Sequence, residues 1–166
     1  RQPHEDRPNL SPGIRYGDSR KKVTGQMQVI IIGAGRGSRL MPTTADTPKC
    51  FAEVRGRRLL DWTLHALGEN PALPLGPENI CFVGGYQIEK VQRDYPGFTF
   101  RHNDNWQNNN ILGSLFYAED VMQEGFLCAY SDILFTPAVV AGLIESTADI
   151  ALGVDTCWLE RYAERT

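Results

Sequence analysis

Val29-Ile30-Ile31-Ile32 is an unbroken run of β-branched residues, stopped by Gly33 and followed by a polar stretch marked by Gly and Pro as far as Lys49. Such side chains are stiff at χ1 and suit a pleated strand. A run without alternation leaves no face for solvent, so the strand belongs in a parallel sheet covered on both sides. Parallel neighbours need crossover connections, most often helices. The chain supplies them. Residues 80–83, 98–100, 126–130 and 150–154 read as four further strands. Residues 58–67, with Leu60, Leu64 and Leu67 at helical spacing and Gly68 as a stop, read as the first helix. Residues 87–94, 109–121 and 137–145 read as three more, the last opened by Pro137, where proline is tolerated. In 109–121 the expected inner face holds Ile111, Leu112, Leu115, Phe116 and Ala118. Strands alternating with helices imply an α/β fold, three layers (α/β/α) around a mostly parallel, Rossmann-like sheet.

The chain has 166 residues and a net charge of −3, which suits one α/β domain and excludes a uniformly basic nucleic-acid binder. No apolar run approaches the roughly 20 residues that span a bilayer, so no membrane partner is expected, and the N-terminal residues do not read as a signal peptide. Cys50, Cys81, Cys128 and Cys157 are scattered and form no C-x-x-C pair. Free thiols in a reducing cytoplasm are the simplest reading. Residues 1–26 stand apart. They hold six Lys/Arg against three Asp/Glu, a net +3 that leaves −6 on the other residues. With so few apolar side chains they read as a flexible tail or linker, and 27–166 as the folded domain.

The glycine loop Gly33-Ala34-Gly35-Arg36-Gly37-Ser38 can present backbone N–H groups to a phosphate, or can be a purely structural turn. A dinucleotide fingerprint would need a third glycine where Ser38 stands, then a helix, but Pro42 and Pro48 would break it. The P-loop pattern is absent as well. Residues 34–49 therefore read as a long loop laid over a ligand. Arg36, Arg39 and Lys49 outnumber Asp46 there, a cationic spot in an anionic body that suits a polyphosphate.

Gly35-Arg36-Gly37-Ser38-Arg39-Leu40-Met41-Pro42, followed by Thr47-Pro48-Lys49, resembles the signature of the nucleotidyltransferases that make nucleotide sugars and CDP-alcohols. One departure is Gly33, where that family usually has alanine. Val83-Gly84-Gly85-Tyr86 resembles the exit of the family's second strand. His102-Asn103-Asp104-Asn105-Trp106, Asn108 through Leu115, and Tyr130-Ser131-Asp132 resemble the branch of choline-phosphate and aminoalkylphosphonate cytidylyltransferases.

That resemblance implies transfer of CMP from CTP to a phosphorylated or phosphonylated small alcohol or amine, with Mg²⁺ as cofactor and release of pyrophosphate. It assigns Gly33, Ala34, Gly35, Arg36, Gly37 and Ser38 to the nucleotide. Arg39 would neutralise the β- and γ-phosphates, and Lys49 would serve the α-phosphate and the incoming acceptor. Asp132, at the end of an apolar strand, would hold the metal, a hard cation that favours carboxylate and phosphate oxygens. Gly85 would border the base. Asn109 and Ser114 lie at a helix start facing the nucleotide, where Asn109 could equally be an N-cap. Asp104, Trp106 and Tyr130 are candidates for a cationic acceptor, with Trp158 a further aromatic.

A sugar-1-phosphate nucleotidyltransferase using UTP, dTTP or GTP shares the loop and Asp132, and an inactive nucleotide-binding module shares the loop alone. The family's second metal carboxylate comes from a later strand, and Asp155, Glu160 and Glu164 do not map onto it. The expectation is a domain incomplete at its C-terminal side, whose open sheet edge strand exchange or a homodimer would cover.

Overall fold

The computed structural model describes residues 27–70, 75–122 and 125–163. The expected tail, 1–26, lies outside them. Five elements build the sheet side of the fold in chain order: β1 (Gln28–Gly33), the hairpin β2 (Glu53–Val54) and β3 (Arg57–Arg58), β4 (Ile80–Gly84), β5 (Thr99–His102) and β6 (Phe126–Tyr130) count as one hairpin and four long strands. The helices are α1 (Leu59–Gly68), α2 (Ile88–Asp94), α3 (Ile111–Phe116), α4 (Pro137–Glu145) and α5 (Trp158–Tyr162).

The main sheet has the order β5-β4-β1-β6, with every pair parallel. β1 and β4 are central, and Val29, Ile30, Ile31, Phe82 and Val83 are fully buried. Alternate residues of β1 feed opposite faces. Val29 and Ile31 join Leu60 and Leu67 of α1, Val91 of α2 and Val140 of α4 in one core. Ile30 and Ile32 join Cys81, Val83 and Ala118 in the other, against α3 and the turn after it. Each fully buried isoleucine contributes about 1.5–3 kcal/mol, so these strands dominate the stability of the domain. The three-layer parallel architecture is the expected one.

Four local expectations change. Residues 150–154 form no strand among the described residues; Ile150, Leu152 and Val154 are 82%, 81% and 73% exposed. A strand needs a hydrogen-bonding partner, and no described strand lies against the outer edge of β6. The third strand starts one residue late, at Thr99, and runs to His102. The helix expected over 109–121 is the short α3 followed by a separate 3₁₀ turn, Glu119–Val121. Its expected inner face is only half right. Ala118 is buried and Leu115 packs against the same core, while Ile111, Leu112 and Phe116 are each at least half exposed, because so short a helix lays only Ser114, Leu115 and the turn beyond them on the sheet. Finally, the N-cap of α3 is Asn110, whose side chain accepts from Gly113 N at 2.9 Å, and not Asn109.

Strand order reverses at β1: the chain moves outward through β4 and β5, then returns to place β6 on the other side. In open α/β sheets a crevice opens beyond the C-terminal ends of strands at such a point. Here it lies between the segments that leave β1 and β6.

Candidate active site

The loop leaving β1 begins under close constraint. A Cβ on Gly33 would sit 2.6 Å from the Phe82 ring and 2.6 Å from Ser131 Oγ, so only glycine lets β1 end between them. Ser131 N in turn donates to Ile32 O at 2.9 Å, which brings the exit of β6 alongside. The loop then opens. Gly35, Arg36, Ser38 and Arg39 are exposed, and a Cβ on Gly35 would meet nothing. Among the described residues, the N–H groups of Gly35, Arg36 and Gly37 donate no hydrogen bond. Unpartnered amides at the mouth of a parallel sheet form a ready anion cradle.

Gly37 turns the chain back with φ +69, a left-handed conformation that glycine adopts at no steric cost. Its carbonyl accepts from Leu40 N at 2.9 Å and from the buried Thr44 Oγ1 at 2.8 Å. The return limb ends in a 3₁₀ turn, Lys49–Phe51, where Phe51 N donates to Pro48 O and Ala52 N to Lys49 O. Cys50 anchors this turn in the core at 1% exposure. Burial pushes its thiol up to about 12. The stem of Lys49 is thereby held against Gly37: a Cβ there would lie 3.0 Å from three carbons of the lysine.

Lys49 Nζ donates to Asp132 Oδ2, across the point where the strand order reverses. Asp132 follows β6 by two residues, so the pair joins the segments leaving β1 and β6. Their side chains are 34% and 27% exposed, reachable from solvent without lying bare. Arg39 is exposed and forms no ion pair among the described residues. Arg36 lies with its guanidinium carbon 5.5 Å from the centroid of the Tyr86 ring.

The exit of β4 closes one side. Tyr86 N donates to Ala34 O at 2.9 Å, and a Cβ on Gly85 would come within 2.6 Å of Trp106 and 2.8 Å of Ala34 O. Trp106 and Tyr86 pack with centroids 5.6 Å apart. Gly33, Ala34, Gly35, Arg36, Gly37, Gly85 and Trp106 thus form one neighbourhood, which brings the acceptor candidate Trp106 beside the residues expected to hold the nucleotide.

Other expected site residues have structural occupations. Asn103 is fully buried, and its amide exchanges a reciprocal pair of 3.1 Å hydrogen bonds with the Asn109 amide. Its Nδ2 also donates to Ser114 Oγ at 2.9 Å. Asn109 and Ser114 therefore brace the segment between β5 and α3. Asp104 accepts from Tyr117 Oη at 2.7 Å, and that hydrogen bond raises the phenol's pKa. Tyr130 is 41% exposed at the end of β6. Trp158 packs edge-on to Tyr162 in α5. Sequence reasoning named Tyr86 without giving it a role, and passed over Thr44 and Gln87. The position of Tyr86 directly after the Gly84-Gly85 strand exit was the available signal.

Residues 29–161 match the family model for the MobA-like NTP transferase domain. The chain belongs to this family. Within it, the domain is 30% identical over 148 residues to the CTP:phosphoglutamine cytidylyltransferase of Campylobacter jejuni, covering 84% of this chain and 56% of that protein. It is 29% identical over 136 residues to the UTP–glucose-1-phosphate uridylyltransferase AglF of Haloferax volcanii, covering 78% of this chain and 54% of that one. The solved structure of CTP:phosphocholine cytidylyltransferase from Streptococcus pneumoniae superposes with a TM-score of 0.50 and 26% identity, over 60% of this chain and 42% of that one. The NTP transferase domain described here thus spans about half the length of the curated relatives it matches.

Proposed function

We propose that this chain carries the nucleotide-handling site of a cytidylyltransferase. The reaction joins CTP to a phosphorylated or phosphonylated small alcohol or amine. An acceptor phosphate oxygen attacks the α-phosphorus of CTP, a new P–O bond forms, the bond to the β-phosphate breaks, and pyrophosphate leaves. The observation that carries this reading is the convergence at one sheet edge of three amides without a protein partner, those of exposed Gly35 and Arg36 and half-buried Gly37, with Lys49 and Asp132. The similarity to two CTP-using enzymes supports the choice of base.

Each group has a physical task. The amides of Gly35, Arg36 and Gly37 take phosphate oxygens without giving up a protein partner, because none of them has one. Arg39, unpaired and exposed, meets the β- and γ-phosphates and stabilises the charge that grows on the leaving pyrophosphate. Lys49 stands where the α-phosphate and the acceptor phosphate meet and offsets their mutual repulsion.

Among the described residues no three His, Cys, Asp or Glu side chains cluster as a self-sufficient metal cage. The donor set that does exist is one carboxylate, Asp132, already facing a cationic group. That fits Mg²⁺, which takes one or two carboxylates and completes its shell with substrate phosphates and water. When bound, Mg²⁺ would add positive charge at the phosphate oxygens. Asp132 would hold it.

AglF-like similarity favours a second reading, UTP with a sugar 1-phosphate. Pyrophosphate release measured for four NTPs against phosphocholine, aminoethylphosphonate, phosphoglutamine and sugar 1-phosphates, with and without Mg²⁺, separates the two. CTP with a small phosphorylated amine or alcohol is the expected active combination. Turnover confined to UTP or dTTP with sugar phosphates would overturn it. Lys49→Ala is expected to lower turnover about 10²–10³-fold, the usual cost of removing one charge-stabilising donor, with an unchanged melting curve. Asp132→Asn should need more Mg²⁺ for half-maximal rate. Wild-type turnover in the first or a wild-type Mg²⁺ response in the second would remove that residue from the site.

A further inference from the structure

The loop 34–49 is tied at its ends, to β1 and through Cys50 to the core. It is long and mostly exposed; Thr44 Oγ1 ties it to its own Gly37 carbonyl, Lys90 Nζ of α2 donates to Asp46 O, and the exit of β4 joins its two limbs to each other. Tyr86, which belongs to the exit of β4, contacts it three times. Its backbone N–H donates to Ala34 O at 2.9 Å, on the outgoing limb. Its hydroxyl donates to Ala45 O, on the returning limb. Its ring lies beneath the guanidinium of Arg36.

The supports of Tyr86 are themselves specific. Gln87 Nε2 donates to the Tyr86 hydroxyl at 3.0 Å, so the hydroxyl sits in a chain from amide to phenol to carbonyl. Hydrogen bonds in such chains polarise one another. Gln87 adopts φ 53, a left-handed conformation that costs a non-glycine residue free energy and persists where surrounding contacts hold it. Trp106 packs tilted against the same ring. Phenylalanine would reproduce the ring contacts with Arg36 and Trp106 and lose the link to Ala45.

We propose that Tyr86 is a positioning residue for the site: it clamps both limbs of the loop and thereby sets where Arg36 and Lys49 meet a bound nucleotide. The clamp is a property of the fold. Its consequence for nucleotide rests on the cytidylyltransferase reading.

The test compares wild type, Tyr86→Phe, Lys49→Ala and the double variant. Amide hydrogen exchange over 40–47 and over β1 reads the clamp, and CTP affinity by calorimetry reads its consequence. In Tyr86→Phe, exchange over 40–47 should rise about five-fold, the equivalent of one lost neutral hydrogen bond, while β1 is unchanged. CTP affinity should fall by a similar factor, and the melting temperature by only the few degrees that one hydrogen bond supplies. In the Lys49→Ala background the same change should cost measurably less than in wild type, because only the share that acts through Arg36 is left. A merely structural tyrosine would give the same loss in both backgrounds, and that result overturns the proposal. So does wild-type loop exchange in Tyr86→Phe, or faster exchange with unchanged CTP affinity. Should Tyr86→Phe fail to fold, Gln87→Asn replaces it, since asparagine tolerates the left-handed backbone and is too short to keep the bond to the phenol. Its loop exchange and affinity must shift in the same directions for the proposal to stand. Failure of wild type to bind any NTP would overturn the cytidylyltransferase reading, and loop exchange would still decide the clamp.

Discussion

Two neighbouring residues on the return limb have opposite fates. Lys49 reaches outward to Asp132, while Cys50 is sealed in the core and its thiol is pushed up to about 12 by burial. The thiol's ordinary value is 9.0. The folded state therefore keeps a proton that the unfolded chain releases. The associated stabilisation is complete below pH 9 and is lost as pH rises from 9 toward 12. We expect the melting temperature to fall above pH 9, and the fall to be shallower in Cys50→Ala once its lower starting stability is subtracted. Equal slopes would show that Cys50 titrates freely in the fold. A thiol reagent at pH 8 should modify exposed Cys157 in the native protein and leave Cys50 and Cys81 until denaturant is added. That Lys49 and Asp132 stand out as candidates was legible from motif and strand-end position, and the fold adds that they meet. The occupation of Asp104 by Tyr117 was not, since thirteen residues separate them and only α3 and its turn bring them together.

At the scale of elements, the connection from β5 to α3 shows what a short helix needs. α3 has six residues, too few to be stable by its own hydrogen bonds. It is held by the Asn110 cap and by the buried Asn103 network, in which Asn103 Oδ1 also accepts from Asn105 N at 3.1 Å. Asn103→Ala should destabilise by about 1–2 kcal/mol, because it removes both side-chain partners of the half-buried Asn109 amide and the donor to Ser114 Oγ, which keeps its own bond to Asn110 O. Urea unfolding measures it; a midpoint within error of wild type would show the network to be dispensable. The sequence pattern marks a helix here, but its length depended on whether the apolar residues found a surface to cover. Ile111, Leu112 and Phe116 did not.

Across the whole molecule, sheet order decides where chemistry can occur. Because β6 returns to the far side of β1, the glycine loop and Asp132 face each other although 83 residues separate Lys49 from Asp132. The same order leaves the outer edge of β6 without a described partner. Near it, α4 and residues 151–157 line an open groove with Ile133, Leu134 and Cys128. Leu152 is 81% exposed beside it. Exposed side chains without contacts contribute little, so Leu152→Lys should change the melting temperature of this chain by no more than a degree or two. A larger drop would show that Leu152 is covered in solution.

The sequence by itself determined the fold class, because Val29–Ile32 has no polar face and can lie only in a sheet buried on both sides. It also determined the character of the loop, because Pro42 and Pro48 forbid the helix that a dinucleotide fingerprint requires. These are local steric facts, carried by adjacent residues. Tertiary structure decided the rest: that residues 150–154 stay out of the sheet, that Asn109 and Ser114 brace a buried amide, and that Tyr86 reaches both limbs of the loop. Each of these depends on a partner distant in the chain, and a hydrogen bond or a strand pairing has no energy until the fold brings its second half into reach.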